Sequence, residues 1–294
     1  MNNNMKQDSQ KSTVKEHFED KALFWDDIYA NESDNTPFFY HEMRRRKEIV
    51  FSLLKSSTQQ DYKKAVDVGC GAGYYVAGLM DLKMNTIGSD ISESMVKVTK
   101  SNLVKQNKIS ESLLCADCEY LPYPSNYFDV VLCIGVLSYV SNELAILKEL
   151  KRIVKKDGII VFNVPNALKL RNVLDPYYYL IRGWKHTSKL LSIIFKRKNL
   201  TVKVNDETLM DAPQNRYTFN QINNFLSEAA LEKIDVQGYC YGPLRIWRKN
   251  ILSNNLSIRL SKFLEKIQLQ KLFRFLQTFA VGWVIIAKVP DTVS

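Results

Sequence analysis

The sequence predicts an α/β fold in which a parallel sheet is covered by helices on both faces. Three observations carry that expectation. Between residues 63 and 165, short apolar runs alternate with amphipathic stretches of helical period. The first run is followed at once by Gly69-Cys70-Gly71-Ala72-Gly73, a turn whose glycines permit a sharp strand-to-helix connection. The next two runs end on aspartates, Asp90 and Asp117.

The elements follow in order. Residues 65–68 form a short buried strand, and 74–82 a helix after the glycine turn. A second strand spans 85–89, with a helix over 92–106, and a third strand spans 112–116. The run 128–134, rich in Val and Ile, suits a strand buried on both faces. A helix over 143–154 places Leu144, Leu147, Leu150 and Val154 on one side. Lys155-Lys156-Asp157-Gly158 should stop it before a fifth strand over 159–164, ended by Pro165. Strand–helix–strand crossovers of this length make parallel neighbours. Beyond Pro165 the alternation lapses through residue 215. A helix over 217–230 then begins with Thr218 as N-cap, and a strand follows over 233–240. A second, largely helical interruption covers 243–280, before a last strand over 283–289. The chain thus divides into a disordered polar tail (1–13), an N-terminal segment (14–62) and one domain (63–294) with insertions at 166–215 and 243–280.

Composition bounds the function. The 294 residues are 46% hydrophobic and 24% charged, which excludes wholesale disorder. Residues 1–13 are polar and resemble no secretory signal. The longest apolar runs, 130–142 and 275–287, fall short of the roughly 18–20 residues a membrane span needs. Five cysteines favour reduced thiols and a cytoplasmic protein. Cys115 and Cys118 form one C-x-x-C, but with three scattered histidines they supply no zinc ligand set, so no metal is expected. Cys115 should pack within the third strand and Cys118 lie just past it. The net charge of +10 is unevenly placed. Residues 166–203 hold nine basic side chains against Asp175 alone, and 243–274 hold eight against Glu265 alone, which leaves the remainder at −5.

A glycine turn between strand and helix offers unpaired N–H groups to a ligand, and a carboxylate ending the next strand can take both hydroxyls of a ribose. Asp90 and Asp117 would present to the same edge of the sheet as the glycines. A nicotinamide enzyme also uses such parts, but the spacing here is G-x-G-x-G, and Asp67 stands in the approach to the turn.

Val66-Asp67-Val68-Gly69-Cys70-Gly71-Ala72-Gly73 with Gly88-Ser89-Asp90-Ile91-Ser92 resembles the first two motifs of class I S-adenosylmethionine-dependent methyltransferases, small-molecule branch, like those of ubiquinone and menaquinone biosynthesis. Cys115-Ala116-Asp117 and Phe128-Asp129-Val130-Val131 extend the resemblance. It implies a Rossmann-like, seven-stranded, mostly parallel sheet with an antiparallel last strand. It also implies S-adenosyl-L-methionine as cofactor. Asp67, Gly69, Cys70, Gly71 and Gly73 would hold its methionine end and Asp90 its ribose. Ile91 and Met95 would flank the adenine, Asp117 and Cys118 would meet its exocyclic nitrogen, and Ile134 would line the methionyl side. Residues 14–62, with Trp25 and Tyr29, resemble the helices that cover the cofactor in such enzymes. Arg44-Arg45-Arg46 reads as a solvated helix face or a phosphate contact.

No general base stands out; Tyr139, His186 and His41 are the candidates by position. The Asn/Asp-Pro-Pro-aromatic run of base-methylating enzymes is absent after the fourth strand, where Cys133-Ile134-Gly135-Val136-Leu137 stands, so nucleic acid is disfavoured. The insertions instead set basic residues beside apolar stripes, among them Leu252, Leu256, Leu260, Phe263, Leu264 and Ile267 edged by Arg259, Lys262 and Lys266. Such a helix either lies on an anionic membrane or docks on the domain's own core. The expected acceptor is a small amphiphilic or lipid-linked molecule methylated on oxygen, with the insertions as its cap and peripheral contact at the inner membrane face. A nucleic-acid methyltransferase and a non-catalytic cofactor-binding subunit are the rival readings.

Overall fold

A computed structural model describes residues 3–30, 37–57, 62–108, 113–177, 214–247, 249–268 and 271–290. Its centre is a seven-stranded sheet in the order β3-β2-β1-β4-β5-β9-β6. Strands β1 (Lys64–Val68), β2 (Asn85–Asp90), β3 (Leu113–Cys115), β4 (Phe128–Cys133) and β5 (Val154–Pro165) run parallel. Strand β9 (Gly282–Lys288) enters antiparallel between β5 and β6 (Glu232–Tyr239). The sheet is the Rossmann-like one expected. Val130, Val131, Leu132 and Cys133 are all buried because the central strand has helices over both faces.

One core lies beneath α6 (Glu143–Ile153) and α8 (Phe219–Glu228). Helix α6 is capped by Asn142, which accepts the Ala145 amide at 3.1 Å, and it buries Ile146, Leu147, Leu150 and Ile153. Thr218 caps α8 in a reciprocal box with Gln221. The other core lies beneath α3 (Phe38–Ser57) and α4 (Tyr74–Asp81). Helix α5 (Glu93–Lys105) meets α2 (Ala22–Ala30) and α3 through Met95, Trp25, Ile28 and Met43. Strand order reverses between β1 and β4, so the loops after them part and leave a crevice at the carboxyl edge.

Three expectations are corrected and a fourth, the largely helical second insertion, is refined. The polar start is helical: α1 spans Asn3–Asp20, tied down where Lys11 Nζ meets Asp117 and Glu119, each at 2.7 Å. Cys115 is exposed, because β3 is the edge strand rather than an interior one. Residues 155–158 do not break the chain between helix and strand but lie within β5, which begins at Val154 where it pairs with Phe128. The second insertion opens with a hairpin of β7 (Arg245–Ile246) and β8 (Lys249–Asn250) before helix α9 (Asn254–Gln268) and a 3₁₀ helix (Lys271–Phe279). Of the first insertion, residues 178–213 lie outside the described part, and His186 with them.

Candidate active site

The glycine turn is built by backbone bonds from β2. The amides of Gly69 and Cys70 both donate to the Ser89 carbonyl, at 2.7 and 2.9 Å. The Gly71 amide donates to Asp90 Oδ2 at 2.9 Å, and the Ser92 amide to Asp90 Oδ1 at 2.9 Å. The turn and the carboxylate are therefore one rigid unit. Gly69 (φ 75°) could not carry a side chain, since a Cβ would stand 2.2 Å from Val136. Gly71 (φ 53°) differs: a Cβ there would meet nothing within 4 Å. Its backbone borders open space.

That space is a cavity of about 500 Å³, the size of a small-molecule site. Gly69, Cys70 and Gly71 form its floor with Asp90, and Ile91, Met95, Asp117, Cys118 and Ile134 stand around it. Ten of the expected positions thus converge when Tyr139 is added. Asp67 and Gly73 do not line it. Gly73 backs onto Thr99. Asp67 is buried beneath the floor, and neither of its carboxylate oxygens has a partner. Burial, with Asp90 adding to it, pushes the Asp67 carboxyl up to about 8. Burial also raises Asp90, against the pull of its amide donors. Burial takes the Cys118 thiol up to about 12.

The N-terminal helices form the opposite wall through Phe18, Trp25, Tyr29, Met43 and Arg46. Helix α1 is latched across it: Gln10 donates to the Tyr139 carbonyl at 3.0 Å, and the amides of Glu93 and Ser94 donate to Glu19 at 2.8 and 3.0 Å. Burial alone would lower the Lys11 ammonium, but Asp117 and Glu119 outweigh it and hold Lys11 above its ordinary value.

Among the catalytic candidates, Tyr139 is in the cavity, but burial pushes its hydroxyl up to about 12 and Gln214 Nε2 donates to it at 2.6 Å. At neutral pH it is a neutral hydroxyl, not a base. His41 is not in the wall; it is buried against Phe38, and burial lowers its pKa.

Two cavity residues escaped the sequence reading. Arg46 is buried, donates to Tyr29 Oη at 2.6 Å, and makes no ion pair among the described residues; its Nε has no partner. Its guanidinium lies 3.8 Å from where a Cβ on Gly135 would stand, so it overhangs the loop after β4. The signal was available, because Met43, Arg46, Val50 and Leu53 share the buried stripe of α3. Glu42, one turn earlier, also faces the cavity, and after burial its charge adds to the rise of the Tyr139 and Tyr239 hydroxyls. The lining also carries cations: Lys169, Arg171 and Arg216 from the first insertion's flanks, and Arg245 from the second.

The residues present fit S-adenosylmethionine. The open side of Gly71 and the partnerless Arg46 Nε are places where a zwitterionic, cationic ligand completes what the chain leaves unmet.

Comparison with known proteins agrees. Residues 66–162 match the family model described as a methyltransferase domain. A ubiquinone biosynthesis O-methyltransferase of Coxiella burnetii is 26% identical over 62% of this chain and 69% of its own. A ubiquinone/menaquinone biosynthesis C-methyltransferase of Burkholderia vietnamiensis is 35% identical over 46% of this chain and 56% of its own. The crystal structure of magnesium protoporphyrin IX methyltransferase from Synechocystis, with bound S-adenosylhomocysteine, superposes with a TM-score of 0.57 at 14% identity, covering 95% of this chain and 98% of that one. Motifs, sheet order and relatives together support an S-adenosylmethionine-dependent methyltransferase whose methyltransferase domain spans residues 66–162.

Proposed function

We propose that the enzyme methylates an oxygen of a small amphiphilic acceptor that carries an anionic group. The observation that carries this reading is the cavity lining, which combines the cations Lys169, Arg171, Arg216 and Arg245 with the aromatic Phe18, Trp25 and Tyr139. An apolar body fits the interior and an anionic end fits the cations. The O-methyltransferase relative acts in ubiquinone biosynthesis, which supports the acceptor class. Both insertions contribute to this lining, which supports their role as a substrate cap over a domain of residues 63–294. An acceptor of this kind is met at a membrane surface, where the enzyme would work as a peripheral protein.

Asp90 holds the cofactor's ribose, and the Gly69–Gly71 backbone and Arg46 hold its methionine end. Ile91 and Met95 flank the adenine beside Asp117 and Cys118. The bound cofactor supplies a methyl group on a sulfonium, an electrophile that needs an aligned nucleophile. Alignment by the aromatic wall and the cations is worth on the order of 7–11 kcal/mol. Glu42 takes the acceptor's proton, since it is the cavity carboxylate outside the cofactor and Lys11 contacts. Tyr139 positions the acceptor as a neutral hydroxyl.

Reversing Arg171 and Arg245 together (Arg171→Glu, Arg245→Glu) tests the acceptor assignment. The expected result is a tenfold or greater rise in acceptor KM with S-adenosylhomocysteine affinity unchanged. An unchanged KM would remove these cations from acceptor binding.

A further inference from the structure

Helix α9 is inverted. Its buried residues are Ser257, Ser261, Glu265 and Gln268, spaced to share one face. Three of them are bonded into the domain: Glu265 accepts the Cys240 amide at 3.1 Å and Arg45 Nε at 2.5 Å. Ser261 Oγ accepts the Tyr241 amide at 3.1 Å, and Gln268 Nε2 donates to the Gly238 carbonyl at 2.7 Å. The helix is thus held largely by hydrogen bonds, with Ile258 packed on the core and Leu260, Leu264 and Ile267 half-buried, and part of its apolar side is left outside. Leu256 is 48% exposed and Phe263 60% exposed. Arg259 and Lys266 alternate with them at spacings of three and four, and Lys262 stands beside the row; all three are exposed. The only acid of α9, Glu265, faces inward, so the outward ridge is apolar and purely cationic. Just before the helix, the hairpin exposes Trp247.

We infer that this outward ridge of α9 is a docking surface for an anionic lipid bilayer. Charge complementarity selects the partner. Phosphate headgroups neutralise Arg259, Lys262 and Lys266 while Leu256 and Phe263 enter the acyl boundary. Aromatic side chains such as Trp247 favour that interface as well. The ridge lies beside the cavity rim, because Asn254 at the start of α9 and Arg245 and Asn250 of the hairpin line the cavity. A chain docked this way holds its acceptor entrance at the membrane. This purpose rests on the amphiphilic-acceptor reading, but the docking itself does not.

Co-sedimentation with vesicles separates the two. The full chain is expected to sediment with phosphatidylcholine vesicles containing phosphatidylglycerol and to remain in solution with phosphatidylcholine alone. Binding should weaken steeply with salt. The variant Arg259→Glu, Lys262→Glu, Lys266→Glu and, separately, Phe263→Ser should each lose tenfold or more in vesicle affinity, with S-adenosylhomocysteine affinity unchanged as the check on folding. Vesicle binding that survives both variants overturns the proposal. So does capture by polyglutamate with no binding to anionic vesicles, which would assign the ridge to an acidic protein. A failure of methyl transfer to amphiphiles, with vesicle binding intact, would strike the acceptor reading and leave the docking surface standing.

Discussion

Helix α6 buries Ile146, Leu147, Leu150 and Ile153 against the sheet, whereas α9 buries Ser257, Ser261, Glu265 and Gln268. Both carry apolar residues at helical spacing, and both lie against the same domain. The difference is in what holds them. Helix α6 is held by removing apolar area from water, which is non-directional and strong. Helix α9 is held mainly by directed hydrogen bonds and one ion pair, with Ile258 packed on the core, so that Leu256 and Phe263 stay exposed to another surface. Apolar periodicity identifies a helix; it does not say which neighbour covers the apolar side.

Three substitutions would break or sharpen that contrast. Leu150→Ala should destabilise the fold by about 2–5 kcal/mol, measured by denaturant unfolding, because it opens a cavity in the core. Glu265→Ala should cost less, about 1–3 kcal/mol, by leaving the Cys240 amide and Arg45 without their acceptor. A cost for Glu265→Ala as small as an exposed substitution would mean that α9 is held otherwise. The third effect is read as a pH dependence rather than a fixed cost and lies beneath the floor of the active site. Asp67 is raised to about 8 from its ordinary 3.8, so the folded state keeps a proton that the unfolded state gives up. Its contribution to stability is full below about pH 4 and is lost as pH rises through about 8. The cofactor-free protein should lose stability over that window, and Asp67→Asn should flatten the loss. An identical pH profile in the variant would show that Asp67 is not the group responsible.

The cofactor half of the molecule was legible because its signals are local. The turn Gly69 to Gly73, the aspartate ending β2 and the apolar runs of β1, β4 and β5 each dictate their own conformation, and the crossovers make these strands parallel. The parallel strands and the Thr218 cap followed from such local signals, and the antiparallel β9 from the resemblance to known methyltransferases. Tertiary context decided the rest. Three arginines in a row look alike in sequence, yet Arg45 pairs with Glu265 and Glu48 while Arg46 turns into the cavity. The polar residues at the start of α1 carry no apolar stripe, and their anchor is Lys11 reaching two carboxylates more than a hundred residues away. The exposure of Cys115 depends on β3 being the sheet's edge, which no local pattern states.

The most direct test of the account is the fate of a labelled methyl group. The purified enzyme would be incubated with methyl-labelled S-adenosylmethionine and a cell extract, then partitioned into lipid-soluble, water-soluble small-molecule and macromolecular fractions. The account predicts label in an anionic lipid-soluble product, abolished by Asp90→Ala and reduced by the paired reversal of Arg171 and Arg245. Label confined to nucleic acid or protein, or no transfer from a cofactor that binds, would contradict it.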